Sequence, residues 1–257
     1  MAQATSNLSL SQYAKQFLQE NFPGCVFADK ESKAYKAMES ENRKNTFLQT
    51  VRDKETEISL KLIMHEIVTD LNLSDGYGNT ALHYSCYFGH YLILRFLLSC
   101  LEKDISPISL WAMNTVGASP LHLASEMKQL LCVKMILESI KMRPSLKQIN
   151  QCNINGWNAL HYVCSLRDVN NNIGLTLNNC NEIIELLIKA GIDITIKTKT
   201  EKTALDIWNE SCEKTFSLTD TDDKTAIWKS QIVAIQKLLG AKQTNDNETT
   251  EEKESKQ

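Results

Sequence analysis

The chain has 257 residues, 42% hydrophobic and 23% charged, with a net charge of −3; this balance suits an ordered protein and offers no basic block for neutralising nucleic-acid phosphates. Nine glycines and four prolines are too few for a turn-dense all-β architecture, and the longest apolar run, Tyr91 to Leu101, is broken by Arg95 and too short to span a bilayer. Eight cysteines (Cys25, Cys86, Cys100, Cys132, Cys152, Cys164, Cys180, Cys212) include no C-x-x-C pair, which excludes the usual zinc and disulfide patterns and fits reduced thiols in a cytoplasmic protein.

Residues 1–44 carry no basic segment followed by an apolar stretch, so no secretory signal is expected. Leu10, Tyr13, Ala14, Phe17 and Leu18 recur at helical spacing, Ser9 with Gln12 forms a capping box, and Asn21-Phe22-Pro23-Gly24 ends the helix. This segment reads as a helical extension or cap, with a partner-binding helix as the alternative. In residues 45–72, Phe47, Leu48 and Val51 are followed by Ile58, Leu60, Leu62, Ile63 and Ile67. They predict two helices, read as a degenerate first repeat that covers the end of a stack.

From residue 73 the sequence repeats. Gly78-Asn79-Thr80-Ala81-Leu82-His83, Gly117-Ala118-Ser119-Pro120-Leu121-His122 and Gly156-Trp157-Asn158-Ala159-Leu160-His161 are separated by 39 residues each time. A fourth copy, Glu201-Lys202-Thr203-Ala204-Leu205-Asp206, follows after 45 residues without the Gly and with Asp in place of His. Second helices are expected at Ile93–Leu98, Cys132–Leu137 and Ile183–Ile188, where apolar residues are too widely spread for a one-sided stripe. The extra residues at 99–111 and 139–151 should lengthen the second helix or its exit. Those at 165–181 and 211–229 should form long loops between helices.

These hexapeptides resemble the G-x-T-P-L-H signature of ankyrin repeats, in which a β-turn feeds two antiparallel helices. The resemblance implies an all-α ankyrin-repeat solenoid of stacked helix-turn-helix units with β-turn fingers and a helical N-terminal cap. Repeats are expected at about 73–112, 113–151, 152–195 and 196–241, before an acidic tail at 242–257 that should be disordered. It also implies that His83, His122 and His161 bond backbone near the turns instead of holding a metal, and that Cys86 and Cys164 pack in the core.

Function then follows by position. Ankyrin proteins bind partners through the turn tips and exposed first-helix faces, which line a concave groove. The resemblance places there Tyr77, Asn79, Tyr87 and Phe88; Thr115, Val116, Glu126 and Met127; and Asn155, Trp157, Ser165 and Leu166. A non-catalytic adaptor or scaffold, monomeric and without cofactor or metal, is the expected role, with a protein partner. The rival is an enzyme with a Cys-based site in the non-repeat segments, for which Cys25 and Cys180 are the candidates. Glu251-Glu252-Lys253-Glu254 resembles the glutamate-rich C-terminal signals of proteins that intracellular bacteria inject into host cells. That resemblance implies an effector in a host cytosol; a solvated acidic tail is the plainer reading.

Overall fold

In the computed structural model, which describes residues 8–24, 40–143, 148–166, 173–216 and 232–240, helices alternate with tight turns. They are α1 (Leu10–Asn21), α2 (Ser40–Arg52), α3 (Thr56–Met64), α4 (Ala81–Phe88), α5 (Tyr91–Glu102), α6 (Pro120–Glu126), α7 (Leu130–Met142), α8 (Ala159–Cys164), α9 (Ile173–Lys189) and α10 (Ala204–Phe216), followed by α11 (232–240). Among the described residues the only extended pairing is an isolated Ser74–Thr80 bridge at the base of a finger. The all-α class and its paired helices are as the repeat pattern predicts. The predicted tail at 242–257 lies outside the described residues, as does Cys25.

The chain divides into two units, 1–115 and 116–257. In the first, α2 packs on α3 and on α4, while α4 packs on α5. The N-terminal helix α1 lies on the second helices, α3 and α5. Its capping box forms as the sequence requires, with Gln12 N donating to Ser9 Oγ at 3.3 Å and Ser9 N donating to Gln12 Oε1 at 2.9 Å. The Tyr13 ring stacks on Phe96 at 5.6 Å, Phe17 meets Phe96 edge-on at 5.4 Å, and Tyr13 Oη donates to Ser99 Oγ at 2.8 Å. Arg95 and Lys103 lie over the Phe17 and Tyr13 rings, at 5.2 and 4.4 Å. Tyr13, Ala14, Phe17 and Leu18 are all buried. At about 1.5–3 kcal/mol for each large side chain removed from water, this contact outweighs the propensity of so short a helix.

Each finger is a turn built around one side chain. Asp75 N donates to Asn79 O at 3.0 Å, and Asp75 Oδ1 accepts from Tyr77 N and Asn79 N at 2.9 and 2.8 Å. Asn153 repeats the arrangement in the second unit, and Thr198 does so with its hydroxyl. Successive fingers then join backbone to backbone. Tyr77 O accepts from Thr115 N at 2.9 Å in the first unit. Val116 O accepts from Ile154 N at 3.2 Å and Asn155 O from Lys199 N at 2.9 Å in the second. A finger can approach this closely only where the turn carries no Cβ: one added to Gly117, at φ 71°, would lie 2.9 Å from Ile154 N.

The fourth copy explains its own divergence. Glu201 holds the same left-handed turn at φ 57°, but its side chain is 82% exposed. No described finger lies against it, so only the backbone penalty of about 1–2 kcal/mol remains. Asp206 likewise substitutes for His chemically, its Oδ2 accepting from Thr203 N and Thr203 Oγ1 at 2.8 and 2.7 Å. The Gly89 position at the end of α4, at φ 71°, is Lys128 after α6, at φ 54°. Here the side chain has its own task. Lys128 Nζ donates to Glu126 O, Tyr162 O and Ser165 O at 2.8, 3.1 and 2.6 Å, serving carbonyls at the ends of α6 and α8 that lack helical partners.

The two inter-helix loops are shorter than predicted. Residues 173–181 are helical, making α9 the 17-residue helix Ile173–Lys189. Leu177, Cys180, Ile184 and Leu187 are buried along it, so the apolar face continues beneath the Asn-rich surface that suggested a loop. Similarly, α10 runs on to Phe216, and 167–172 and 217–231 lie outside the described residues.

Gly117→Ala should lower unfolding free energy by more than about 2 kcal/mol, from the left-handed backbone plus the finger contact. Glu201→Gly should raise it by up to about 1 kcal/mol. Urea denaturation reads both; comparable small effects would show that finger stacking is not the constraint. Lys128→Met should cost about 2–3 kcal/mol by stranding carbonyls. Lys128→Gly, which relieves the backbone, should also destabilise; a stabilised Gly variant would mean the ammonium contributes little.

Candidate protein-binding surface

The first helices begin at residues whose side chains cap them, and a histidine completes each cap at the third helical position. Thr80 N, Ser119 N and Asn158 N donate to the Nδ1 atoms of His83, His122 and His161 at 3.1, 2.9 and 3.1 Å. An Nδ1 that accepts a backbone N–H leaves the neutral ring's hydrogen on Nε2. His122 Nε2 donates it to Gln151 O at 2.9 Å. The three imidazoles are buried, and each is bonded to backbone through Nδ1. Among the described residues, no group of three His, Cys, Asp or Glu side chains could hold a metal ion.

This capping fixes which residues face outward. In the first unit Tyr77 stands at a finger tip with 72% of its surface exposed, and Phe88 closes α4 with 40% exposed. Phe88 is held among Tyr84, Tyr87 and His90 at ring distances of 6.4, 4.9 and 5.5 Å. Tyr87 is half-buried. Asn79 is tied inward, its Oδ1 accepting from Asn114 Nδ2 at 3.0 Å, and Thr115 is exposed beside its backbone bond to Tyr77.

In the second unit, Val116, Glu126, Asn155 and Trp157 line one groove of about 470 Å³. Trp157 meets Tyr162 edge-on at 5.6 Å and lies 6.2 Å from His161, so its ring is already fixed. Met127, at the end of α6, is half-buried and does not line this groove. Leu166 corrects the sequence expectation: it is buried and presents no contact surface. Lys128 draws the carbonyl of Ser165 inward directly after α8, turning the next side chain into the core.

Sequence reasoning missed Tyr162, Lys199 and Thr200, which also line the groove. A signal for the tyrosine was present, because Tyr84 and Tyr162 both follow the repeat histidine. Tyr84 Oη donates to Asp75 Oδ2 at 2.5 Å, and Asn153 Nδ2 donates to Tyr162 Oη at 2.7 Å. Each tyrosine thus braces its own finger. Burial first, then the Asp75 bond, pushes the Tyr84 phenol up to about 12. Burial alone would raise the Asp75 carboxyl, but bonds from Tyr84, Asn79 and Tyr77 outweigh it and hold Asp75 below its usual range.

Burial raises most of the described thiols above their ordinary range. Burial pushes Cys100, Cys132 and Cys212 up to about 12 and Cys180 up to about 11, and holds Cys164 well above its ordinary range. Cys180 is therefore not an exposed thiol in a positive site; Cys86 and Cys164 pack in the core.

A family model described as Ankyrin repeats (3 copies) matches residues 48–148, and one described as Ankyrin repeat matches residues 155–199. Together they cover more than half of the chain. No curated protein matches it.

Two buried histidines make stability depend on pH. Burial lowers the His161 and His90 pKa values below 6.5, against opposing carbonyls from Lys202 and Ile196 at the first and Val51 at the second. The unfolded chain then binds more protons than the folded one as pH falls, so their stabilisation is full above 6.5 and erodes below it. The melting temperature should hold from pH 8 to 7 and decline toward pH 5. A flat profile across that interval contradicts the assignment of neutral, backbone-bonded rings.

Proposed function

The chain belongs to the ankyrin-repeat family, a family of protein-interaction modules, and we propose that it binds a protein partner without catalysis through its finger tips and first-helix faces. The observation that carries this reading is the groove walled by Val116, Trp157 and Tyr162, with Glu126 and Lys199 among its lining residues. An immobilised aromatic wall loses little side-chain freedom when a partner docks, and aromatic anchors in preformed pockets supply most of the affinity at such interfaces. Charges of opposite sign in one groove favour a segment with an apolar anchor flanked by complementary polar groups. Tyr77 and Phe88 give the first unit an aromatic surface of the same kind.

The test begins with affinity capture of a partner from cytosol, followed by binding measurements on purified components. Trp157→Gln with Val116→Glu should weaken the complex by at least about 30-fold, the loss of roughly 2 kcal/mol at a central anchor. Tyr77→Ser with Phe88→Gln should weaken a partner that also engages the first unit. Undiminished binding by variants with native circular dichroism would sink the assignment of this surface.

A further inference from the structure

The chain holds one Asn-Gly pair, Asn155-Gly156, and it stands at the tip of a finger in the second unit. Asparagine before glycine is the most reactive setting for deamidation, because a residue without a Cβ leaves its backbone nitrogen open to attack the preceding carboxamide. Asn155 is exposed. Its neighbours are occupied: Asn153 Oδ1 accepts from Asn155 N and Trp157 N at 2.8 and 2.9 Å, and Asn158 Oδ1 accepts from His161 N at 3.2 Å.

The peptide unit that would react is tied at both of its polar ends. Gly156 N donates to Asn153 O at 3.0 Å, and Asn155 O accepts from Lys199 N of the next finger at 2.9 Å. Neither Ile154 nor Asn155 is left-handed, so the turn closed by the first bond is type I, which holds Asn155 ψ at about 0°. Closing a ring between Gly156 N and Asn155 Cγ needs a different ψ, and turning ψ swings the peptide plane out of both bonds. The next finger also lies directly over Gly156, since a Cβ placed there would sit 3.1 Å from Lys199 N. That finger, built around Thr198, has no described finger on its far side, and an end held from one side opens most readily.

We propose that Asn155 is a deamidation site whose reaction is gated by the finger of Thr198. When that finger lifts, Gly156 N loses its proton to water and attacks Asn155 Cγ. The N–Cγ bond forms, the Cγ–Nδ2 bond breaks, and ammonia leaves with a proton taken from water. Water then opens the succinimide, giving aspartate if it adds at Cγ and isoaspartate if it adds at the backbone carbonyl. In isoaspartate the main chain runs through Cβ and Cγ. The carbonyl that received Lys199 N is thereby displaced, and a brief opening becomes permanent. Either product leaves a carboxylate in a groove whose lining includes Lys199. The modification does not depend on partner binding.

Peptide mapping by mass spectrometry follows conversion at residue 155 in the full chain, folded and in urea at neutral pH. Conversion should be at least about tenfold slower in the folded chain. Lys199→Pro removes the amide that holds Asn155 O. Its own turn accepts proline, because Glu201 N donating to Thr198 O at 3.0 Å puts residue 199 at the second position. With native circular dichroism, this variant should convert about fivefold faster or more. Thr198→Val, which removes the hydroxyl that accepts from Thr200 N and Lys202 N at 3.3 and 3.2 Å, should also accelerate conversion and keeps the test open if Lys199→Pro misfolds. Gly78→Ala, which strains a finger of the first unit by bringing a Cβ 3.0 Å from Asn114 Cα, should leave the rate unchanged. Equal rates in the folded chain and in urea, no conversion in urea, rates unmoved by Lys199→Pro and Thr198→Val, or an equal acceleration by Gly78→Ala would overturn the proposal.

Discussion

Backbone meets backbone at every junction between fingers, and that approach is the constraint from which the rest of each unit follows. A carbonyl at the tip of one turn accepts from an amide of the next, at 2.9 Å from Thr115 to Tyr77, for example. Such a bond demands a left-handed residue without a Cβ on the near side, which is why the signature opens with Gly. It also demands that the turn be rigid, which the Asp75 and Asn153 carboxyl or amide oxygens accomplish by accepting two amides each. The histidine three residues into each first helix then fixes the helix start relative to the turn. Helix length is secondary: α8 has six residues and α4 eight, yet their caps are alike.

The same constraint explains what could be read in the sequence. Periodic features were legible because each repeat must satisfy the same backbone geometry; the Gly and His positions, the paired helices and the buried Cys86 and Cys164 all follow from it. Features that substitute one chemistry for another were harder. Lys128 occupies a glycine's place while its ammonium holds three carbonyls, and nothing in the local sequence reports those distant acceptors. The Asn-rich run before Ile183 reads as loop by composition. Its helix is instead stabilised by Leu177 and Cys180 against the core, a tertiary gain that overrides weak local propensity.

The binding surface shows the same division. Tyr77, Val116, Asn155 and Trp157 could be placed by counting from the signature, since the finger geometry determines their direction. Leu166 could not, because its orientation depends on how the chain leaves α8, and that is set by a lysine more than thirty residues earlier in sequence. Tyr162 was legible in principle: a tyrosine after histidine in two of three copies, opposite Asp75 in one and Asn153 in the other, is a pair of hydrogen-bonding partners repeated at one spacing.

Differences between the repeats therefore carry more functional information than their likeness. Leu60 is buried on α3, which packs against α1, whereas Lys134, at the matching position of α7, lines the rim of a cavity. A surface that had only to be covered would keep the aliphatic residues and a covering helix; a surface left open to water requires charge around its rim. Lysine meets that requirement while its methylene stem still walls an apolar floor. Glu138, with Glu182 and Glu185 paired to Lys134 and Lys189, keeps the charges of that rim balanced.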